Sequence, residues 1–259
     1  ILEGIRRSGS KARLIVWDWG WPHDWAEGVI ARLPSDVALM STSEWELPIR
    51  RGGVETTVGE YSISAVGPGP RAKRHWRAAR ARGLQVLAKI QAGNTWELSS
   101  VPWIPVADQV ARHLAALREE GVRGGLFGWT LGGHPSPNLE VAAVISSTSA
   151  TAEQALRSVA KRRYGPVLAS AVVQAWKEFS TAFSEFPFHT GVVYTAPLQM
   201  GPANLLWENP TGYRATMVGL PYDDLDSWRS VYPLEVFRSQ LLKVADGFDT
   251  ACARLARAL

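Results

Sequence analysis

Acidic side chains set beside tryptophan recur along this chain. Asp18 lies between two indoles in VWDWGW, Glu44 precedes Trp45 in STSEW, and Glu97 follows Trp96 in GNTWE. A carboxyl group beside an indole is partly desolvated, which raises its pKa and suits it to proton transfer. Aromatic faces next to carboxyl and amide groups also suit a ligand with apolar C–H faces and a hydroxyl-rich edge, which describes a sugar. Cleavage of a glycosidic bond uses two carboxyl groups across an oxocarbenium-like transition state. Asp18, Glu44 and Glu97 are therefore the candidate base, nucleophile or substrate-orienting groups. Each also has a plain structural reading: Asp18 as a buried acceptor of loop N–H groups, Glu44 as a surface residue at a strand end, and Glu97 as a helix cap.

Around these acids stand candidate ligand contacts. Trp17, Trp19, Trp45, Trp96 and Trp129 supply stacking walls, and a Gly/Pro turn at 67–70 holds Tyr61 at the rim. Lys89 and Gln91 alternate in VLAKIQA, so both point to one face of a strand. Lys89 there favours an anionic or N-acetylated sugar. Asn94, His134 and Asn138 carry donors and acceptors for hydroxyl groups, with Asn138 alternatively the N-cap of the helix that follows. His23 and Asp24 read as caps of an earlier helix. No second histidine or carboxylate stands at ligand spacing from His134, no serine sits in a nucleophile elbow, and neither GPGPR nor LGGHPSP opens a helix as a phosphate loop does. No metal and no cofactor is expected.

The elements that must position these residues alternate. ARLIVWDWG, DVALMSTSEW, GLQVLAKIQA and VRGGLFGWTLGG read as strands, with VGEYSISAV as a shorter extended piece. Between them lie WAEGVIARL, the basic helix from Pro70, and VADQVARHLAALREEG ending at Gly121; NLEVAAVIS starts the next helix. Apolar strands separated by helices predict parallel βα units, in which ligands bind beyond the carboxyl ends of the strands. Four such units without a phosphate loop predict an α/β fold, the carboxyl-terminal half of a (β/α)8 TIM barrel over residues 1–149. Residues 150–259 read as a mostly α-helical domain with a loop-rich insert. One helix stops at Gly165, and the next carries Trp176, Phe179 and Phe183 on one face. In the last helix Val236, Leu241, Val244, Phe248 and Cys252 predict a buried stripe.

Composition excludes several classes. At 46% hydrophobic and 20% charged, with one cysteine and no apolar run of membrane length, the chain reads as soluble, without a disulfide framework, and the reducing cytoplasm is slightly favoured. The net charge of +4 and pI near 9.4 raise the question of nucleic acid. Most of the excess lies in RAKRHWRAARARG, where Trp76, Ala79 and Leu84 share one side and the arginines occupy the rest, the pattern of a solvated helix face. No nucleic-acid or membrane partner is expected; a carbohydrate is.

The strings VWDWGW, STSEW, GWTLGGHPSPN, GPANLLW and VGLPYDDLDSW, with AWKEFSTAFSEFP after the barrel, resemble those of TIM-barrel glycoside hydrolases and their bacterial relatives. A looser likeness is to family 20 hexosaminidases and family 67 α-glucuronidases. The resemblance implies a glycosidase in which part of the active site belongs to the other half of the barrel. One feature departs from it: family 20 enzymes carry an adjacent Asp-Glu pair, and this chain contains no Asp-Glu dipeptide. The alternative is a carbohydrate-binding or structural half-barrel with no activity of its own.

Overall fold

The computed structural model describes residues 1–128, 133–195, 208–209, 211–214, 216 and 224–258. Trp129, one of the expected stacking residues, lies outside them. The fold is α/β, with a parallel sheet of four strands followed by a helical carboxyl-terminal region.

After a short helix α1 (Leu2–Arg7), the sheet is built from β1 (Ile15–Trp17), β2 (Ala38–Thr42), β5 (Gln85–Lys89) and β6 (Gly125–Leu126), hydrogen-bonded in that order and all parallel. Three helices fill the connections between these strands: α2 (His23–Ile30), α3 (Pro70–Ala81) and α4 (Ala107–Glu119). Register sets Ile15, Ala38 and Gln85 side by side, and one step further Val16, Leu39 and Val86. Side chains alternate along a strand, so these two rows face opposite ways. Leu39, Val86 and Ala88 are fully buried on the side covered by α3, whose Ala72, Trp76 and Ala79 are inaccessible and whose Trp76 Nε1 donates to the Leu87 carbonyl at 3.1 Å. On the other side Ile15 and Leu126 remain nearly half exposed, at 46% and 47%.

Between β2 and α3 the chain makes a hairpin of β3 (Pro48–Arg51) and β4 (Val54–Thr57), whereas VGEYSISAV, expected to be extended, carries no strand. Gly52 and Gly53 form its two-residue turn with φ of 55° and 86°. That turn class needs positive φ at both central residues, which glycine adopts without steric cost.

The helical region begins with α5 (Pro137–Ser147) and α6 (Ala152–Phe183). Thr151 and Gln154 close a capping box at the start of α6, and Gly165 breaks it, with φ of 80° ahead of Pro166. The break at Gly165 matches the expectation. Beyond it Trp176, Phe179 and Phe183 are buried, and Phe179 meets Phe248 with ring centroids 5.0 Å apart. Short helices α7 (Thr190–Thr195) and α8 (Leu225–Arg229) precede α9 (Leu234–Ala256), which lies along α6. The stripe on α9 differs from the expected one. Phe237, Gln240 and Ala251 are buried, Val236, Leu241, Val244 and Phe248 are half-buried against the core, and Cys252 is exposed. Gln240 is buried within this stripe, its Nε2 donating to the Glu185 carbonyl at 2.8 Å. One cluster of buried apolar side chains runs from Ile30 to Ala251. Among the described residues no helix is long and apolar enough to cross a membrane, and no group of His, Cys, Asp and Glu is arranged to hold a metal.

Candidate functional site

Two buried polar clusters occupy the carboxyl-terminal end of the sheet. They differ in how far their acids are engaged by other side chains.

The first cluster surrounds Asp18, just past β1. Its Oδ2 accepts from Ser41 Oγ at 2.6 Å and from His75 Nδ1 at 2.6 Å, and its Oδ1 lies 3.3 Å from Arg71 Nη1. Arg71 Nη2 also donates to the carbonyls of Asp18 (2.9 Å) and Trp21 (3.0 Å), and the Trp45 ring lies under the guanidinium at 4.5 Å. All of Asp18, Ser41, Arg71 and His75 are buried. Both oxygens of Asp18 are thus taken up by protein donors on the helix-covered side of the sheet, and its structure is that of a buried acid shaping the β1–α2 loop. This corrects the expectation for α3, whose arginines do not all face solvent. Arg71 and His75, one turn apart, point into the protein beside Ala72 and Trp76 because each finds a partner that offsets the cost of burial. The expected caps of α2 are also absent: Pro22 is its N-cap and makes no side-chain bond, and His23 instead pairs with Glu46 and Arg74.

The second cluster centres on Glu44, two residues past the end of β2. Glu44 is fully buried, and among the described residues neither carboxyl oxygen has a hydrogen-bond partner. Burial holds its pKa well above the usual carboxylate range; its own backbone N–H and Lys89 offset this only in part, and the nearby charge of Glu97 adds to it. His113 of α4 brings Nδ1 to 3.8 Å from Glu44 Oε1 and places Nε2 2.7 Å from Ser43 Oγ. Burial pushes His113 down to about 3. Two glycines allow this crowding: a Cβ on Gly69 would stand 2.4 Å from the Trp45 carbonyl oxygen, and one on Gly67 would stand 2.7 Å from His113 Nε2.

Lys89, at the end of β5, is buried with its Nζ 4.6 Å from the centre of the Tyr61 ring and 3.3 Å from the Ile90 carbonyl oxygen. Burial lowers it to about 8, against a smaller upward pull from Glu44. Tyr61 is pushed up by burial and by the charges of Glu60 and Glu44. Register aligns Lys89 with Thr42, whose Oγ1 accepts from Trp17 Nε1 at 3.3 Å. Gln91 is buried with neither amide atom partnered among the described residues.

Glu97 is buried near Glu44 but is held differently. Ser62 Oγ (2.7 Å), Thr95 Oγ1 (2.6 Å), Ser64 Oγ and the backbone N–H groups of Ile63 (2.8 Å) and Ser64 (3.3 Å) all donate to it. Such a donor set matches an acceptor-only carboxylate and ties the loop carrying Tyr61 to the loop after β5. Asn94 spans its own loop, accepting from Thr95 N at 2.7 Å and donating to the Val101 carbonyl. Trp96 is half-buried edge-on to Tyr194, and Trp17 and Trp19 lie 6.0 Å apart with Trp19 47% exposed.

Two expected contacts fall elsewhere. His134 is exposed. Asn138 is not the N-cap of α5; Ser136 is, accepting from Leu139 N at 3.4 Å. Asn138 instead donates to the carbonyls of Ala92 (2.9 Å) and Ile104 (2.7 Å), fastening α5 to the loop after β5. The structure therefore brings Glu44, Lys89 and Tyr61 within electrostatic reach of one another, with the charge of Glu97 felt at Glu44, and occupies Asp18 with Ser41, His75 and Arg71. His113, Arg71 and His75 were not singled out from the sequence. The i, i+4 spacing of Arg71 and His75 next to Ala72 and Trp76 was the available sign for two of them. Compared with protein-family models, with curated proteins and with solved structures, the chain matches none.

Proposed function

We propose that this chain is half of a (β/α)8 barrel acting on glycosidic bonds, with Glu44 as the proton donor. The observation that carries the reading is the state of Glu44: a buried acid just past the carboxyl end of a parallel strand, its proton favoured by desolvation and its oxygens not hydrogen-bonded by any other side chain among the described residues. A general acid must hold its proton until the leaving oxygen needs it, and a raised pKa provides that. Lys89, Gln91 and Tyr61 supply charge, amide and aromatic contacts around it for a hydroxylated, N-acetylated or anionic ring. Glu97 acts by position, keeping negative charge near Glu44 and fixing the loop that bears Tyr61. The half-barrel reading is supported by the sheet itself. Parallel sheets are normally covered on both faces, and here Ile15 and Leu126 of the outer strands stay nearly half exposed on the face away from α3, although Ala38, Met40, Thr42 and Lys89 at its centre are buried. In this reading the second carboxyl group comes from the complementary half of the barrel.

The test is Glu44→Gln, which preserves shape while removing the acidic proton. Turnover of a panel of aryl glycosides, including N-acetylhexosaminides and glucuronides, should fall by about 10² to 10⁴ with the melting temperature unchanged or raised. Wild-type turnover in the variant would exclude Glu44 as the acid. A second reading, a non-catalytic carbohydrate-binding half-barrel, draws on the engagement of both Asp18 and Glu97 by protein donors. It expects saturable quenching of tryptophan fluorescence by sugars with no cleavage of any of them.

A further inference from the structure

Ser230, the residue after α8, holds an uncommon backbone conformation. Among the described residues, Ser230 and Glu46 alone combine a side chain other than glycine's with a positive φ. Ser230 occupies the first central position of a turn closed by the Tyr232 N–H on the Arg229 carbonyl at 2.9 Å, and its φ of 49° with ψ of −118° is a conformation that glycine normally supplies. A serine held there is strained, and such strain persists only where the surroundings fix it, as they do around reacting groups.

The surroundings are specific. Tyr232 Oη donates to the Phe188 carbonyl at 2.6 Å and Thr195 Oγ1 to the Ser227 carbonyl at 2.9 Å, so contacts on either side of Ser230 fasten it to the segment 188–195. Gly191 permits the approach, since a Cβ there would stand 2.5 Å from Ser230 Oγ. That segment brings His189, whose Nδ1 lies 2.7 Å from Ser230 Oγ and also accepts from the Gly191 N–H at 3.1 Å. A backbone N–H can only donate, so Nδ1 carries no proton, the ring proton sits on Nε2, and the Ser230 hydroxyl is the donor. A hydroxyl donating to an unprotonated imidazole nitrogen is the arrangement of an activated nucleophile. Burial lowers the pKa of His189 from its ordinary 6.5, which keeps the ring neutral at pH 7. Unlike the acids at the end of the sheet, Ser230 and His189 are only half-buried, and the adjoining Val231 is 48% exposed, so a reactant meets them from the surface. Leu225 and Leu234, within five residues of Ser230 in the chain, are exposed as well, which favours an apolar reactant over a charged one.

We propose that Ser230 is a nucleophile, with His189 as its general base, acting on small uncharged carboxylic esters. Oγ attacks the ester carbonyl carbon while its proton passes to Nδ1, and the C=O π pair moves to oxygen. The tetrahedral adduct collapses, the C–O bond to the alcohol breaks, and the leaving oxygen takes the proton from Nδ1. Water attacks the acyl-serine in the same way, releasing a carboxylic acid and restoring both side chains. Water is the one co-reactant. The site shares no residue with the glycosidase reading and does not depend on it.

The test is a fluorophosphonate probe, which phosphonylates an activated serine with loss of fluoride. The whole chain is treated at pH 7.5 and the adduct located by peptide mass mapping. Labelling at Ser230 should be faster than at any other serine by about 10²-fold or more, the contribution of a positioned base. No adduct at Ser230, or one formed no faster than elsewhere, overturns the proposal. His189→Asn keeps an oxygen near the place of Nδ1 to accept from Ser230 and Gly191 but cannot take up a proton; it should slow labelling by about 10² to 10⁴, with circular dichroism unchanged. In the wild-type chain the labelling rate should level off by pH 7, where His189 is already neutral. Equal labelling in His189→Asn, or a wild-type rate that climbs about tenfold per pH unit from 6 to 9 as hydroxide-driven attack does, overturns the role of His189. p-Nitrophenyl butyrate should be cleaved by the wild-type chain and not by Ser230→Ala; labelling at Ser230 without that cleavage overturns the assignment of esters as substrate.

Discussion

Replacing Asp18 by asparagine changes one atom in a cluster that uses both carboxyl oxygens. Oδ2 accepts two hydrogen bonds at 2.6 Å, from Ser41 and His75, while Oδ1 faces Arg71 at 3.3 Å. An amide has one acceptor oxygen and a two-proton donor, so the carboxylate charge facing Arg71 is lost in either orientation. With the oxygen kept toward Ser41 and His75, the new NH2 group points at Arg71, whose side chain is 2% exposed and whose only facing carboxylate among its hydrogen-bond partners is gone. Breaking a buried ion pair by removing one partner costs about 3–5 kcal/mol. Arg71 keeps its bonds to the carbonyls of Asp18 and Trp21 and its contact with Trp45, which places the loss near the lower end, about 3 kcal/mol. For a urea slope of about 3 kcal/mol per molar, the unfolding midpoint should move down by about 1 M. The double variant Asp18→Asn/Arg71→Met should lose less than the sum of the two single changes by more than about 1 kcal/mol, since each single change leaves a group unpaired. A midpoint shift in Asp18→Asn below about 0.3 M, less than about 1 kcal/mol, would refute this account and reopen Asp18 as a group facing ligand.

Other tests follow from the same contacts. The unfolded chain binds a proton at His113 from its ordinary 6.5 downward, whereas the folded chain refuses it until about 3, so acidification across that window should erode stability by up to about 1.4 kcal/mol per pH unit; His113→Gln should remove this part of the slope in urea midpoints recorded from pH 7 to pH 4. Lys89 works at the alkaline end: folded near 8 and ordinarily 10.5, it should add stability as pH rises from 8 to 10, and Lys89→Met should flatten that rise while stabilising the protein at pH 7. Gly69→Ala puts a methyl group against the backbone oxygens of Trp45 and Glu44, at 2.4 and 2.9 Å, and should cost about 2–3 kcal/mol; an unchanged melting temperature would contradict the packing described. Cys252 should react with an exposed-thiol reagent at the rate of a free thiol, in the folded protein and without loss of ellipticity.

Much of the fold follows from local pattern. Apolar runs divided by helices were enough for four parallel strands, Pro70 and Gly121 bounded helices, and Gly165-Pro166 announced the break in α6, because turn geometry and helix termination depend on a few adjacent residues. The hairpin at Gly52-Gly53 has its sign there too, in two glycines between short alternating runs. The pairing of acids with tryptophans likewise drew attention to Asp18, Glu44 and Glu97, and all three proved buried.

What adjacency could not decide was their state. Asp18, Glu44 and Glu97 look alike in the chain, each an acid beside an indole, yet their partners come from 23 to 57 residues away for Asp18, about 70 for the histidine near Glu44, and 33 to 35 for most donors to Glu97. A carboxyl group's charge depends on the donors and the solvent within a few ångströms of it, and those are set by which loops and helices meet. Tertiary packing satisfied two of these acids and left the third, Glu44, fully buried with no side-chain hydrogen bond among the described residues; it turned Arg71 and His75 of a seemingly solvated helix inward, and brought Lys89 to the face of Tyr61.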